Sequence, residues 1–352
     1  MRSFDYESLP SRVIFGRGVA SRIPELAADL GMRRVLVIAT GSQAEVAGRV
    51  LQELGSSGSA LFPGAAVHTP VEVTAEAMEV VAAVGIDGLV AIGGGSAIGL
   101  GKAVALRTDL PQIVVPTTYA GSEMTPILGQ TENGQKVTLR SAKVLPEAAV
   151  YDVDLTLGLP AHVSVTSGFN AMAHAVEALY SKAANRLLMG VGEECVRAMA
   201  QSLPKIIVQT DDVEARAEAM EAGWLGGWCL ANGGSALHHK LCHMLGGAFN
   251  LPHSETHTVL LPHVLAFNAK AAPEAVERLC GALDAENPAL MLYDLAQSLG
   301  APGSLKELGM PRDGIDKAVQ AVLAAPMWNP APLDPKALKL MITHAWKGDQ
   351  PR

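Results

Sequence analysis

The fold is decided by GLVAIGGGSAIGLGKAVAL, residues 88–106 of the chain. Residues 88–92 form an uninterrupted apolar run, which is typical of a strand buried on both faces of a parallel sheet. Three glycines and a serine follow at 93–96, and residues 97–106 then have helical spacing. A buried strand that turns through glycines into a helix is the repeating unit of a doubly wound α/β domain.

The same alternation extends to both sides of this unit. Residues 35–39, VLVIA, form a second continuous apolar run, for which we expect another fully buried strand. The remaining predicted strands are 12–15, 59–62 and 112–115, and the predicted helices are 19–30, 43–54 and 73–84. Strands that alternate with helices in this way predict a parallel sheet covered by helices.

The pattern changes after residue 128. Asn133 and Gly134 are a strong hairpin signal, with 136–139 and 149–151 as the predicted flanking strands. From Pro160 onward we expect helices, at 162–180, 185–208, 212–231, 235–246, 273–283, 288–299, 313–323 and 335–344. The predicted fold is therefore an N-terminal Rossmann-like parallel-sheet domain, residues 1–158, followed by an all-helical domain, residues 159–352.

Composition and charge limit the class of function. The chain has 352 residues, of which 49% are apolar and 18% charged, as is typical of a globular α/β protein. Its net charge of −8 offers no basic patch, so we expect neither nucleic acid nor a membrane as a partner. The first residues lack an apolar leader segment and the four cysteines include no CxxC pair. We therefore expect a reduced, cytoplasmic protein.

Two loops are candidates for holding a nucleotide. Gly93, Gly94, Gly95 and Ser96 stand between a strand and a helix, where backbone amides and the helix N-terminus favour a pyrophosphate. The residues do not form GxGxxG, and many glycine turns bind no ligand. The second loop, PTTYAGSE at 116–123, follows the next strand. Both loops belong at the carboxyl ends of strands, where ligands of doubly wound sheets bind.

Lys102 lies one to two helical turns beyond Gly95. It can reach a ligand at the mouth of the predicted helix, or it can be a solvated lysine on the helix surface. The sequence leaves both interpretations open.

Histidines are concentrated in HHKLCHMLGGAFNLPHSETH, residues 238–257, which holds five of the ten in the chain. His239 and His243 share a helix face, Gly246 and Gly247 are predicted to loosen the chain, and Pro252 to redirect it so that His253 returns as a third imidazole. Upstream, Asn170 and His174 have the same four-residue spacing. Gathered imidazoles bind metals or exchange protons near neutral pH, although a single buried histidine is more often a packing residue.

The order of these motifs resembles the iron-containing (group III) alcohol dehydrogenase superfamily over nearly the whole chain: GGGS, PTT-x-x-GSE, N-x-x-x-H, H-x-x-x-H and PH. Within it, the strings SGFNAMAHAVEALYS, ALHHKLCHMLGGAFNLPHSETH and PTTYAGSEMTP are similar to the maleylacetate reductase family. The resemblance implies a site between the two domains and NAD(P)H-dependent reduction of maleylacetate to 3-oxoadipate, in bacterial breakdown of aromatic compounds. The alternative is a metal-dependent alcohol or aldehyde dehydrogenase.

The resemblance also assigns roles to single residues. The superfamily's four metal ligands, one aspartate and three histidines, fall on Asn170, His174, His239 and His253, and His243 matches a histidine beside the nicotinamide and substrate. The pyrophosphate loop falls on Gly93, Gly94, Gly95 and Ser96, and a further cofactor contact on Thr117 and Thr118.

Two departures from the superfamily pattern shape our predictions. Asn170 replaces the metal-binding aspartate, so we predict a metal-free pocket; if a metal is bound, its ligands are His174, His239 and His253. Thr40 stands near the position of an aspartate that would repel a 2′-phosphate, so NADH and NADPH are both admissible.

The predicted site follows from these assignments. The predicted catalytic residues are His243, His253, His239 and His174. The predicted cofactor contacts include Thr40 and Lys102, and the predicted contacts with a small dicarboxylate substrate are Asn170, Lys240 and Tyr119. The resemblance also implies a homodimer.

Overall fold

A computed structural model describes residues 4, 6–132, 135–325 and 327–352. They form two compact units. The sheet unit is Leu9–Leu159, and the helical unit is Pro160–Arg352 together with the described residues before Leu9. A parallel-sheet unit followed by a helical unit is the fold class that the sequence predicts.

The sheet unit contains eight described strands and four described α-helices. The strands are β1 (Arg12–Gly16), β2 (Val35–Ile38), β3 (Gly58–Phe62), β4 (Gly88–Gly93), β5 (Gln112–Pro116), β6 (Ile127–Glu132), β7 (Gln135–Arg140) and β8 (Ala148–Asp152). The helices are α1 (Ile23–Asp29), α2 (Ala44–Glu53), α3 (Val71–Val84) and α4 (Gly95–Thr108). Residues 19–22, predicted as the start of the first helix, form a 3₁₀ turn before α1.

Six strands form one parallel sheet in the order β1-β8-β5-β4-β2-β3. Every residue of β2, β4, β5 and β8 is buried, which explains their continuous apolar sequences. The chain passes from β2 outward to β3 and then returns to β4 on the other side of β2. This reversal creates a crevice at the carboxyl ends of β2 and β4, the usual ligand site of such sheets.

Of the two strands predicted for the hairpin, residues 136–139 belong to it and residues 149–151 do not. β7 pairs antiparallel with β6, whereas residues 149–151 belong to β8, which lies between β1 and β5 in the parallel sheet. The reason is burial: β8 is buried along its whole length, as a central strand requires. The turn at Asn133 and Gly134 lies outside the described residues.

The helical unit contains nine described α-helices. They are α5 (Ala161–Leu179), α6 (Arg186–Val208), α7 (Val213–Gly233), α8 (Leu237–Phe249), α9 (His253–Asn268), α10 (Pro273–Leu283), α11 (Pro288–Ser298), α12 (Gly314–Ala324) and α13 (Pro335–Lys347). Helix α5 packs against α6, α7 and α9, and α8 packs against α9 and α12. Because α5 is enclosed by its neighbours, all of its residues from Ser164 to Leu179 are buried. They include the polar residues Asn170, His174 and Glu177.

Helices α8 and α9 differ from the sequence prediction. Gly246 and Gly247 do not loosen the chain: α8 continues through them and ends at Asn250, which has φ of 52°. No helix was expected after Pro252, yet α9 begins there and contains Pro262. Packing of its apolar side chains against α5, α8 and α11 outweighs the unfavourable proline.

Within the described parts of the chain, no helix combines the length and apolar character needed to cross a membrane.

Candidate active site

The predicted cofactor segments come together at one edge of the sheet unit. The N–H of Thr117, after β5, donates to the carbonyl oxygen of Gly93 at 3.1 Å. A Cβ atom added to Gly94 would lie 3.0 Å from Cγ2 of Thr118, and one added to Gly93 would lie 4.0 Å from Cγ of Gln43. Segments that follow β2, β4 and β5 therefore surround the crevice between β2 and β4.

The glycine turn leaves room for an anion at the start of α4. Gly93 has φ of 139°, which side-chain-bearing residues rarely adopt. A Cβ at Gly95, the first residue of α4, would meet nothing within 4 Å. Unpaired backbone amides at a helix N-terminus beside open space form a natural phosphate site.

Valine at position 94 tests this loop. We expect Gly94→Val to raise the Michaelis constant for the nicotinamide cofactor at least about tenfold, a loss of about 1.4 kcal/mol, because its methyl groups crowd Thr118 and the pyrophosphate space. Gly48→Val is the control, since a Cβ there meets nothing within 4 Å. Steady-state kinetics with varied cofactor give the answer, and unchanged constants in a folded Gly94→Val protein would remove the loop from the site.

Two predicted contact residues in this unit are buried. Lys102 is 2% exposed, and its Nζ donates to backbone oxygens of Ser122, Thr125 and Ile127. It is therefore neither solvated nor directed at the helix mouth, which corrects both interpretations of this residue. Tyr119 is 1% exposed, and its predicted contact with substrate stays a prediction.

Six histidines of α5, α8 and α9 form one cluster in the helical unit: His174, His238, His239, His243, His253 and His257. The rings of His174 and His239 stack with centroids 4.8 Å apart. His243 stacks on His253 at 5.8 Å, and the rings of His253 and His257 are 4.3 Å apart. The structure thus brings together all four histidines predicted to be catalytic.

His257 is at the centre of the cluster, although sequence analysis assigned it no role. Its ring centroid lies within 5 Å of those of His238, His239 and His253. It follows His253 by four residues, so the two share a face of α9. That spacing was visible in the sequence, but it indicates a shared face only if a helix is predicted there.

Glu177 is a second residue that sequence analysis missed. One of its carboxylate oxygens, Oε2, lies 2.7 Å from Nδ1 of His239 and accepts the N–H of Ala236 at 2.7 Å. The other, Oε1, accepts the N–H of His238 at 2.7 Å. Glu177 therefore fixes the start of α8 to α5. It lies three residues after His174, so helix spacing alone could have placed it on the same face.

The charge of Glu177 determines which nitrogen of His239 carries hydrogen. Burial acts to raise the pKa of this carboxyl, but the neighbouring His239 and His238 and the donated N–H of Ala236 outweigh burial, and the pKa is lowered. A carboxylate only accepts hydrogen bonds, so Nδ1 of His239 carries the hydrogen. In the neutral ring, Nε2 then presents its lone pair to the cluster.

The deepest imidazoles are neutral near pH 7. Burial, reinforced by the surrounding imidazoles, holds the pKa of His174 and of His257 well below its ordinary value. Burial likewise lowers the pKa of His238 to about 4. A neutral imidazole offers one donor and one acceptor, so these three rings are hydrogen-bonding groups with little positive charge.

The cluster also holds buried polar atoms that need a partner. Among the residues the structure describes, no hydrogen-bond partner is present for Oδ1 of Asn170, Nδ1 of His174, Nδ1 of His238, Nε2 of His239 or either ring nitrogen of His257. Buried polar atoms left unpaired cost about 1–3 kcal/mol each. Six such atoms in one place indicate a site that a polar ligand completes.

The donor atoms do not reproduce the metal site that the superfamily resemblance implies. Two trios bring ring nitrogens within 4.8 Å of one another, His238 with His239 and His257, and His243 with His253 and His257, and His174 belongs to neither. Asn170 supplies a neutral amide, and Glu177 is occupied by His239 and two backbone N–H groups. The cluster therefore offers no carboxylate to balance the charge of a buried divalent ion.

Lys240 differs from its neighbours on α8 in solvent exposure. It is exposed, whereas His238 and His239 on the same helix are buried. Its predicted contact with the substrate stays a prediction.

The fold and the site define a family of oxidoreductases. Residues 10–153 match the family described as iron-containing alcohol dehydrogenase, and residues 164–346 match the C-terminal part of the same family. The chain belongs to the iron-containing alcohol dehydrogenase family.

Individual relatives narrow the comparison. The chain is 47% identical over 351 residues to a maleylacetate reductase of Rhizobium sp. (strain MTP-10005), covering 100% of both chains. The crystal structure of a maleylacetate reductase from Agrobacterium tumefaciens has a TM-score of 0.96 at 46% identity, with full coverage of both chains. That of a putative alcohol dehydrogenase from Ralstonia eutropha has a TM-score of 0.98 at 44% identity, also with full coverage.

Proposed function

We propose that the chain reduces the carbon–carbon double bond of maleylacetate to give 3-oxoadipate, with NADH or NADPH as reductant. Identity of 47% and 48% to two maleylacetate reductases, over at least 99% of the chain, supports maleylacetate as the substrate. The structural observation that carries the proposal is the cluster of six imidazoles, in which burial keeps His174, His238 and His257 neutral, beside Asn170 at the position where the resemblance places the family's aspartate. Such a cluster suits stabilisation of an enolate by hydrogen bonds better than it suits a divalent metal.

The reaction needs a hydride, a place for negative charge and a proton. When bound, the dihydronicotinamide supplies the hydride, which adds to the carbon β to the ketone of maleylacetate. The electron pair of the double bond moves toward the ketone oxygen as an enolate, and protonation of the α-carbon completes 3-oxoadipate. Imidazole N–H groups are suited to both protein tasks, donating to the oxygen and supplying the proton.

Burial makes the cluster effective for this purpose. Donors fixed in a water-poor site stabilise developing charge without reorganising. The half-buried His243 and His253 are the imidazoles best placed to exchange protons with the surroundings, and we assign proton donation to His243. The deeper His174 and His257 fix the polar lining around them.

The metal-dependent alcohol or aldehyde dehydrogenase remains the second candidate, and one observation favours it. The Glu177 carboxylate leaves the lone pair of His239 Nε2 available, as carboxylates do for metal-binding histidines. A label separates the candidates: with deuterium at the transferable position of the cofactor, our proposal places the label on the methylene carbon β to the ketone of 3-oxoadipate. If the enzyme instead left maleylacetate unreduced and placed the label on the carbinol carbon of an alcohol formed from an aldehyde, the alternative would be favoured.

Thr40 predicts tolerance of both dinucleotides. Thr40 lies two residues after the end of β2, and its Oγ1 lies 3.0 Å from Oγ of Ser42. Because no carboxylate at this position repels a 2′-phosphate, we expect turnover with NADPH within about tenfold of that with NADH. Thr40→Asp should shift the preference toward NADH, and Gln52→Glu, which adds the same charge on an exposed part of α2, should not. A thousandfold preference of the wild type for NADH would contradict this placement.

A further inference from the structure

A buried polar cluster lies in the sheet unit, apart from the histidines. It consists of Lys102 on α4, Glu123 in the turn after β5 and Tyr151 on β8, each at most 2% exposed. Nζ of Lys102 lies 2.6 Å from the carbonyl oxygens of Ser122 and Thr125, and 3.1 Å from Oγ1 of Thr125 and from the carbonyl oxygen of Ile127. The hydroxyl of Tyr151 donates to Oε1 of Glu123 at 2.9 Å.

Burying ionisable groups in this way has an unfavourable free energy, which a loop held by apolar contacts would avoid. Burial lowers the pKa of Lys102 to about 7 against the opposing charge of Glu123. Burial likewise raises the pKa of Glu123 to about 7, opposed by hydrogen bonds from its own backbone and Tyr151 and by Lys102. Apolar residues of similar volume often stabilise a fold as well as buried ionisable groups do. The cluster therefore suggests a demand for one particular loop shape.

The loop that Lys102 holds begins with the second predicted cofactor segment, residues 116–123, and continues to residue 127. The start of the loop is fixed to the glycine turn, because the N–H of Thr117 donates to the carbonyl oxygen of Gly93 and the side chain of Thr118 lies next to Gly94. It then reverses at Gly121, with φ of 80°. Its last end, residues 122–127, supplies all four oxygens that surround the Lys102 ammonium.

We infer that Lys102 is a positioning residue for the dinucleotide: from the buried side it fixes the 117–127 loop, so that Thr117 and Thr118 are held against the glycine turn before the cofactor arrives. Glu123 and Tyr151 complete the cluster, and none of the three touches the cofactor in this role. The inference rests on the proposed nicotinamide-dependent function. Groups held ready for a ligand lower the entropic cost of binding.

The test compares Lys102→Met with Lys143→Met. Lys143 belongs to the same unit, but its side chain is half exposed and forms an ion pair with the exposed Asp109. Cofactor dissociation constants are measured by quenching of protein fluorescence with NADPH and NADH, and kcat is measured at saturating cofactor. We expect Lys102→Met to weaken dinucleotide binding at least about tenfold, with kcat and the KM for maleylacetate within about twofold of wild type, and Lys143→Met to change neither.

A merely structural role predicts a different result, namely loss of active protein with unchanged binding by the folded fraction. If Lys102→Met does not fold, two milder variants keep the lysine. Tyr151→Phe removes the hydrogen bond to Glu123, and Thr125→Val removes the hydroxyl that accepts from Lys102 and donates to Ser122. Each should weaken cofactor binding severalfold. Unchanged binding in folded Lys102→Met, or in both milder variants, overturns the inference alone. Wild-type protein that binds neither dinucleotide overturns the proposed function and the inference with it.

Discussion

His243→Ala should lower turnover with maleylacetate by about a hundredfold or more, the scale on which a positioned general acid acts. His243 lies on the face of α8 that carries His239, and its ring stacks on that of His253. Since it is half-buried, its loss removes a proton donor with little change to the core. The measurement is kcat by cofactor oxidation at saturating maleylacetate.

The matched control is His162→Ala, which removes an exposed imidazole from the first turn of α5. It should leave kcat within about twofold of wild type. Equal effects of the two substitutions would remove His243 from the chemistry. Unaltered thermal unfolding of both variants ensures that the comparison concerns the site and not the fold.

Glu177→Leu should lower the free energy of unfolding by about 3–5 kcal/mol, the usual result of removing one partner from a buried, charge-assisted set. The substitution leaves three buried donors without an acceptor, the N–H groups of Ala236 and His238 and Nδ1–H of His239. It also removes the connection between α5 and the first turn of α8. Denaturant unfolding measures the change.

Two further variants interpret that result. Glu277→Leu changes an exposed glutamate of α10 and should change stability by no more than about 0.5 kcal/mol. Glu177→Gln keeps the shape but sets an amide N–H against a buried donor, so we expect an intermediate loss and a shift of the His239 hydrogen from Nδ1 to Nε2, visible in ¹⁵N shifts of the ring. A Glu177→Leu protein as stable as wild type would contradict the role of this carboxylate.

Sequence patterns predicted the sheet unit well because its buried strands have continuous apolar sequences. Runs such as residues 35–39 and 88–92 are apolar because both faces of the sheet are covered. The same rule, applied to residues 149–151, would have placed β8 in the sheet. The nearby Asn-Gly pair favoured a hairpin instead, and a local turn signal does not reveal which strand is the partner.

The helical unit shows where local signals fail. Gly246 and Gly247 were predicted to loosen the chain and Pro252 to redirect it, and no helix was predicted after Pro252. Helix α8 nevertheless continues through the glycines and α9 forms, because their apolar side chains enter one core. The histidine cluster was predicted from spacing within single helices. His257 was missed because no helix was predicted after Pro252, so its spacing from His253 carried no information. The spacing of Glu177 from His174 indicated only a shared face of α5, and its partners on α8 are brought to it by tertiary packing.

Lys102 illustrates the same limit in the sheet unit. Its distance from the glycine loop was read from the sequence, but its direction was not. Helix α4 turns this side chain toward residues 122–127, which lie about twenty residues further along the chain. The carbonyl groups that receive it carry no sequence signature, so no motif could have indicated the contact.

The central claim is that NADH or NADPH reduces maleylacetate with the imidazole cluster as hydrogen-bond and proton donor, and without a metal ion. Its most direct test is the rate of NADPH or NADH oxidation with maleylacetate by enzyme treated with a strong chelator and shown metal-free by elemental analysis. Our account predicts that most of the activity remains and that 3-oxoadipate is the product. Activity that vanishes on chelation and returns only with iron, zinc or manganese would contradict it.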